Sequence, residues 1–403
     1  MSLTSFTPTE LTVRDGVSPL LTNTFPESYW LARDNDGAYP SSFHRALADG
    51  GWLGIALPTA LNGSGLGISE ATLLLQTISE SGAGMSGAQS VHANIYATQP
   101  IAKFASERQK SEIIPKIVSG EWRVCFGVTE PGSGLDTLNL KTSATRVGEV
   151  RSAEGHVSGG YLVNGTKLWI TNAQSATHML LLARTGKGTR QGSLSFFFVP
   201  LPKPSPPTLN ISPIPKMGGK CTTSCEVVFT SHPVPETAMI GVEGTGFGSI
   251  LHGMNAERCL LAGEALGLGY AALNKAVSYA RERVVFGRPI GMNQGIQHPL
   301  AEAYMNLEAA KLATYHAARL YDRGEASRTE IGGACNSAKF LAAEAAFKAC
   351  ERAVLTLGGM GYAKEFHVER YLRECFVPRI APVSKEMILN YIGEKTLGLP
   401  KSY

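Results

Sequence analysis

Cys125-Phe126-Gly127-Val128-Thr129-Glu130-Pro131-Gly132-Ser133-Gly134-Leu135-Asp136-Thr137 is the stretch on which the reading of this chain turns. It ends a β-like run in a turn holding Pro131, Gly132 and Gly134, where backbone amides can converge on a flat polar ligand or a phosphate. Some thirty residues later comes Leu168-Trp169-Ile170-Thr171-Asn172. A Trp followed by β-branched residues suits a strand that lays an indole against something flat and aromatic. Each segment alone is also compatible with plain structure, Thr129 and Thr171 as strand residues and Trp169 as core.

Outward from this pair, the hydrophobic period divides the chain into three zones. Residues 25 to about 120 read as helices. Phe43, Leu47 and Trp52 follow a helical stripe, Ala71 to Ile78 forms another, and Ile113, Ile114 and Ile117 end a third before Gly120. Residues 123 to 238 read as β structure. Tyr161-Leu162-Val163 and Thr166 to Ile170 are β-prone runs joined by Asn164-Gly165, the pattern of a hairpin turn. Met179 to Leu182, Leu194 to Val199 and Glu226 to Phe229 supply further strands, and Pro202, Pro204, Pro206 and Pro207 mark a loop. From Gly246 the helical period returns. Arg258 to Val284, Pro299 to Arg323 and Ala334 to Leu357 are long, Ala-rich and poor in β-branched residues, as a close-packed bundle requires. The expected class is α+β, with an N-terminal helical unit at 1–122, a middle β-sheet or barrel unit at 123–239 and a C-terminal four-helix-type bundle at 240–403.

At 403 residues the chain is too long for one ordinary core. Apolar residues make up 43% and charged ones 17%, which excludes a disordered or coiled-coil protein. A net charge of +4 with no Lys/Arg cluster argues against a nucleic-acid partner. The seven cysteines are odd in number and mostly lie in apolar runs (Cys259, Cys335, Cys350), which reads as buried thiols in a reducing compartment. Cys221 and Cys225 have no second Cys/His pair nearby, so no metal site is expected. No apolar run reaches membrane-spanning length and the N-terminus lacks a basic segment followed by an apolar one, so a soluble intracellular chain is expected, cytoplasmic in a bacterium or in the mitochondrial matrix.

The two opening segments at this spacing resemble the acyl-CoA dehydrogenase family of flavoproteins, and the resemblance runs from about residue 45 to the end. It implies FAD as cofactor. The segment matching 126 to 135 then lines one side of FAD through Phe126, Val128, Thr129 and Gly134, and Trp169, Ile170 and Thr171 pack behind the flavin ring. The resemblance puts Arg283 of Arg283-Val284-Val285-Phe286-Gly287, with Phe286 and Gln294, on the pyrophosphate side of an FAD held mainly by a neighbouring subunit. An arginine suits that task because its planar fork pairs phosphate oxygens bidentately. The bland alternative is a helix C-terminus decorated with cations, which is all that Arg281 and Arg288 need be. Gly358 and Gly359 of Leu357-Gly358-Gly359-Met360-Gly361-Tyr362 are implied to touch the FAD of an adjacent subunit, so a homo-oligomer, tetramer or dimer, is expected. Ser384 and Glu386 match two more flavin-contacting positions.

The reaction implied is α,β-dehydrogenation of an acyl-CoA thioester to the trans-2-enoyl-CoA, with electrons passed to an electron-transfer flavoprotein, in fatty acid or branched-chain amino acid catabolism. It needs a desolvated carboxylate as base. In most of the family that Glu lies in the C-terminal loop, at the position of Pro382 here. A branch that includes isovaleryl-CoA and long-chain acyl-CoA dehydrogenases carries it on the first bundle helix, just before an arginine. Asn255-Ala256-Glu257-Arg258 matches that arrangement, with Glu257 as base and Arg258 beside it at the substrate. Alone, a Glu in the first turn after Asn255 serves equally as an acid at a helix N-terminus. The vacancy at 382 favours the base. Glu264 is the reserve candidate, and Glu130 is read as a brace for the flavin-binding turn. Pro382 has no N–H to offer the thioester oxygen, which leaves Val383 as the replacement donor or the oxygen with one donor fewer. Leu135 stands where many members have a substrate-contacting serine. Rival expectations are a flavin oxidase or monooxygenase on the same fold, and a flavoprotein that binds a partner without dehydrogenating acyl-CoA.

Overall fold

The computed structural model describes residues 6–151, 157–186 and 192–402. The chain ends of the two outer expected units, 1–5 and 403, lie outside these residues. Seven helices come first: α1 (Pro8–Asn23), α2 (Glu27–Asp36), α3 (Ser41–Asp49), α4 (Ile68–Ile78), α5 (Gly84–Tyr96), α6 (Thr98–Phe104) and α7 (Glu107–Val118). Helix α1 starts in a capping box, where Thr7 accepts from the Glu10 N–H (3.1 Å) and Glu10 accepts from the Thr7 N–H (2.7 Å).

The strands are β1 (Val124–Gly127), β2 (Ser143–Arg151), β3 (Val157–Thr171), β4 (His178–Arg184), β5 (Leu194–Pro200), β6 (Leu209–Pro213), β7 (Ser224–Pro235) and β8 (Met239–Ile240). They form one sheet in the order β6-β7-β3-β2-β4-β5-β8, with β1 added parallel to β4. Strand β4 is buried throughout its centre because both faces are covered. Met179, Leu181 and Ala183 enter the core of the sheet unit, while Leu180 and Leu182 pack with Ile101, Ile113 and Ile117 of α6 and α7. This second face presses β1 against the N-terminal helices.

The expected hairpin at Asn164-Gly165 is absent: β3 runs straight through it as one strand. Its pairing with β7 slips between Val163 and Gly165, so Asn-Gly makes a bulge. Gly165 has φ +145°, and a Cβ there would lie 2.6 Å from the Thr142 hydroxyl. Close approach of a neighbouring chain segment, not a reversal, selects the glycine.

Three long helices follow, α8 (Gly246–Glu282), α9 (Gln294–Arg323) and α10 (Arg328–Leu357), then the short α11 (Val368–Glu374), α12 (Val377–Ile380) and α13 (Lys385–Tyr391). Helix α8 begins twelve residues before the expected Arg258, through a Gly-rich stretch of poor helix propensity. Tertiary packing overrides propensity here. Ile250 is buried in the cluster shared with β5 and α6, and Gly246 lies flat against the Ser195 backbone. The N-terminal helices and the bundle also share one core, in which Leu74, Leu75 and Val91 meet Cys259, Ala317 and Cys335. All seven cysteines are buried, as expected.

Helix α8 crosses α4 at backbone distance. A Cβ on Gly263 would stand 2.5 Å from the Thr72 carbonyl oxygen, and one on Gly267 would stand 2.2 Å from that of Gln76. Gly267→Val is expected to lower stability by about 1–3 kcal/mol, read as a lower denaturant midpoint, because neither backbone can yield without parting the two helices. An unchanged midpoint would refute this account of the contact.

Candidate active site

Helices α5 and α8 and strand β1 meet around one polar cluster in an apolar setting. Glu257 sits roughly three turns inside α8. The helix-terminus explanation of this residue therefore does not apply, since a helix end acts only within its first or last turn. Its side chain is half-buried by exposed area. Burial pushes the Glu257 carboxyl up, the His92 and Arg258 cations pull it down, Glu264 pushes it up and Lys339 pulls it down, and the net shift is upward. Tyr96 of α5 shares this environment, and its phenol is pushed well up by burial and then by Glu257. The Tyr96 ring packs against Phe126 of β1 at 5.2 Å between centroids, so the base candidate lies on the wall that begins the Phe126–Leu135 segment.

Glu264, the reserve candidate, is fully buried and committed elsewhere. It accepts from His92 Nδ1 at 2.5 Å and from Gln89 Nε2 at 2.7 Å. Arg258 donates to Asn255 Oδ1 (2.7 Å), while its Nε is buried with no partner among the described residues. Lys339 of α10 donates to the Val383 carbonyl at 2.7 Å, one residue from Pro382. Burial pulls this ammonium down to about 8, with Arg258 adding to the fall and Glu257 opposing it.

The turn after β1 is braced as the role assigned to Glu130 requires. Glu130 accepts from the backbone N–H of Lys141 (2.6 Å) and Thr142 (2.9 Å) and from Lys167 Nζ (2.8 Å). Lys167 also donates to the Val128 carbonyl (3.0 Å). Leu168 N–H donates to the Thr129 carbonyl (2.8 Å), which ties the turn to the end of β3 and joins the two opening segments side by side.

A flat cofactor fits what this junction leaves open. Trp169 is 53% exposed and held at φ +60°, which turns a large indole outward at the cost of an unfavourable backbone. A Cβ on Gly132 or Gly134 would meet nothing, so the turn is open above its backbone. The Thr129 and Thr171 hydroxyls make no hydrogen bond among the described residues, and the buried Asn172 Oδ1 has no partner. Leu135 is also exposed. Val128 is half-buried beside this surface, whereas the Ile170 side chain enters the sheet core, which leaves only its backbone available there.

The remaining expected cofactor residues fall elsewhere. Arg283, Phe286 and Gln294 lie at the far end of α8, about 39 Å along the helix from Glu257. Helices α8 and α10 run in the same direction, so Gly358 and Gly359 join them at that end, where Phe286 (100%) and Tyr362 (87%) stand exposed. Ser384 caps α13 by accepting from the Met387 N–H, and Glu386 is exposed in its first turn. Sequence reading assigned no role to His92, Tyr96 or Lys339. The signal for Lys339 was a lone cation in the apolar run Ala338-Lys339-Phe340-Leu341, which buries it fully.

A carboxyl with a raised pKa, near aromatic rings and a turn open to a flat ligand, is an arrangement able to take a proton from a substrate next to a bound cofactor. The chain belongs to the acyl-CoA dehydrogenase family. It matches that family's N-terminal domain over residues 7–121, its middle domain over 125–232 and its C-terminal domain over 244–397. It is 31% identical to acyl-CoA dehydrogenase FadE12 of Mycobacterium tuberculosis over the whole of both chains. Among solved structures it resembles butyryl-CoA dehydrogenase from Megasphaera elsdenii, with a TM-score of 0.88 and 27% identity over 98% of this chain and 99% of that one. It also resembles a chain from work on the electron transferring flavoprotein of Acidaminococcus fermentans, with a TM-score of 0.89 and 27% identity over 98% and 100%. The fold is this family's arrangement of N-terminal helices, middle β-sheet and C-terminal helix bundle. No described helix is long and apolar enough to cross a membrane.

Proposed function

We propose that this chain is an FAD-dependent dehydrogenase that converts an acyl-CoA to its trans-2-enoyl-CoA and hands the electrons to an electron-transfer flavoprotein, and that it belongs to the branch with its base on the first bundle helix. The observation that carries the second part is Glu257, which combines a desolvated carboxylate, a mid-helix position and an aromatic wall, while Pro382 occupies the alternative base position.

Bound FAD supplies an acceptor for the two electrons that leave the β-carbon with its hydrogen. Trp169 and the Thr129 and Thr171 hydroxyls would hold its ring, with the turn at Pro131–Gly134 beside it. Glu257 takes the α-proton at a carboxylate oxygen. Desolvation makes that oxygen a stronger base, and the surrounding cations oppose that rise. Tyr96 and Phe126 exclude water from its surroundings. Lys339 fixes the loop containing Pro382 through the Val383 carbonyl. Arg258, whose buried Nε has no partner among the described residues, is the proposed contact to the acyl-CoA.

Anaerobic mixing with a panel of acyl-CoAs should bleach the flavin for at least one of them. Bleaching by none, or peroxide release in air as the only turnover, would replace the dehydrogenase reading with one of its rivals.

The exposed end of the bundle supports a homo-oligomer, tetramer or dimer, in which Arg283, Phe286, Gln294, Gly358 and Gly359 reach a neighbour's FAD. Gel filtration should show one yellow oligomeric peak with about one FAD per chain. A stable monomer retaining full FAD would overturn that assignment. The units 1–122, 123–239 and 240–403 are proposed as its domains, with the first and last sharing a core, and its site of action as the cytoplasm of a bacterium or the mitochondrial matrix.

A further inference from the structure

The buried pair on α5 and α8 is not explained by packing alone. His92 and Glu264 are both buried, and Glu264 lies two turns beyond Glu257 on the same face of α8. Glu264 spends one oxygen on His92 Nδ1 and the other on the neutral amide of Gln89. Among the described residues, the imidazole is therefore the only group hydrogen-bonded to this carboxylate that can carry a compensating positive charge. A carboxylate without water is held in place by such a partner and is costly without one. The Gln89 backbone carbonyl accepts from Asn172 Nδ2 (3.1 Å) at the end of β3. The pair thus bridges the open β3 surface and the helix that carries the base.

We propose that His92, clamped by Glu264, is the positioning residue that holds Glu257 in its proton-accepting form. This rests on Glu257 being the base. With Nδ1–H given to Glu264, the protonated ring has one N–H left, at Nε2, and it packs 4.9 Å from the Tyr96 ring on the wall that Glu257 shares. The charged and titratable groups around Glu257 are His92 and Tyr96 on α5, Arg258 and Glu264 on α8, and Lys339 on α10. Those around His92 are Glu264 and Glu257, with the Tyr96 phenol beside it. Among the cations, His92 pulls Glu257 down most. Burial pulls the His92 ring itself down, but Glu264 and then Glu257 outweigh it and leave it above its ordinary value of 6.5. The dyad lets one site be dry enough for a strong base and still keep that base ionised.

The sign is definite. Removing the His92 cation lets the Glu257 pKa climb, so the acid limb of kcat/KM for flavin reduction moves to higher pH. In the FAD-loaded enzyme, His92→Gln should move that limb up by about one pH unit, roughly a tenfold loss below the limb that shrinks above it. Glu264→Gln should move it the same way by less, because the imidazole then loses its counter-charge. The double variant should fall between the wild type and His92→Gln, because the Glu264 charge that pushes Glu257 up is then gone as well. A second reading needs no turnover. The pair stabilises the wild-type fold fully below pH 6.5, and that stability is lost as pH rises through the raised His92 value. The wild-type advantage in Tm over His92→Gln should therefore fade with rising pH. A loss of rate uniform in pH, or an unmoved limb, would make the pair merely structural and overturn the proposal. Failure of the base assignment shows up separately, as a Glu257→Gln enzyme that reduces its flavin normally.

Discussion

Glu257→Gln is expected to slow flavin reduction by acyl-CoA by roughly 10³–10⁴-fold while the protein keeps its FAD and its fold. The substitution preserves size and hydrogen-bonding reach and removes only the capacity to accept a proton. FAD should stay because the groups proposed to hold its ring lie on the turn after β1 and at the end of β3, and Arg283 is far along α8 from Glu257. Stability should not suffer, and can rise, since a half-buried carboxylate whose charge is opposed by burial is replaced by a neutral amide. Stopped-flow bleaching at saturating acyl-CoA separates the chemical step from binding. Glu264→Gln serves as the control, with a far smaller loss, because both oxygens of Glu264 are already bonded to His92 and Gln89. Placing Glu at Pro382 in the Glu257→Gln background should restore part of the rate, since Lys339 holds the neighbouring Val383 carbonyl and keeps that loop in place. Normal reduction in Glu257→Gln would exclude it as the base.

The outline of the molecule was legible because each unit has its own period. Alternating and fully apolar runs gave β4, β5 and β7, and Ala-rich 3.6-residue patterns gave α9 and α10. What misled was local chemistry overruled from a distance. Asn164-Gly165 has the composition of a turn, but strands on both sides hold β3 straight through it. The glycines of 246–253 resemble a loop, yet packing against β5 and α6 makes them the first turns of α8. The site was legible only in its contiguous pieces. Glu257 and Arg258 are adjacent in sequence, and so are the residues of the turn after β1. The partners that set the chemistry of Glu257 come from α5 and α10, which no spacing rule connects to α8.

Lys167→Met is expected to destabilise the chain by about 3–5 kcal/mol and to strip its FAD, an effect as large for the fold as Glu257→Gln is for the chemistry. Lys167 is fully buried and joins two roles, neutralising Glu130 and holding the Val128 carbonyl at the mouth of the turn. Its loss leaves a buried carboxylate with two backbone N–H donors and no counter-charge. The pH dependence identifies the cause. In the wild type, burial pushes the Glu130 carboxyl up, but Lys167 and the amides of the turn outweigh it and hold it below its ordinary value of 4.5. That arrangement contributes stability above pH 4.5 and loses it as pH falls through the lowered value. Without the ammonium, burial dominates and the Glu130 pKa must rise, so acidification should relieve the variant just where it begins to harm the wild type. Burial also brings the Lys167 ammonium down to about 8, so the wild type itself holds the cation at some cost that Glu130 offsets only in part. Glu130→Gln in the Lys167→Met background should therefore recover part of the lost stability, because it removes the stranded charge, although its single amide oxygen can accept from only one of the Lys141 and Thr142 N–H groups that now use separate oxygens. If Lys167→Met instead retains FAD and melts with the wild type at neutral pH, the turn is held by its backbone alone, and the ion pair has no part in shaping the flavin site.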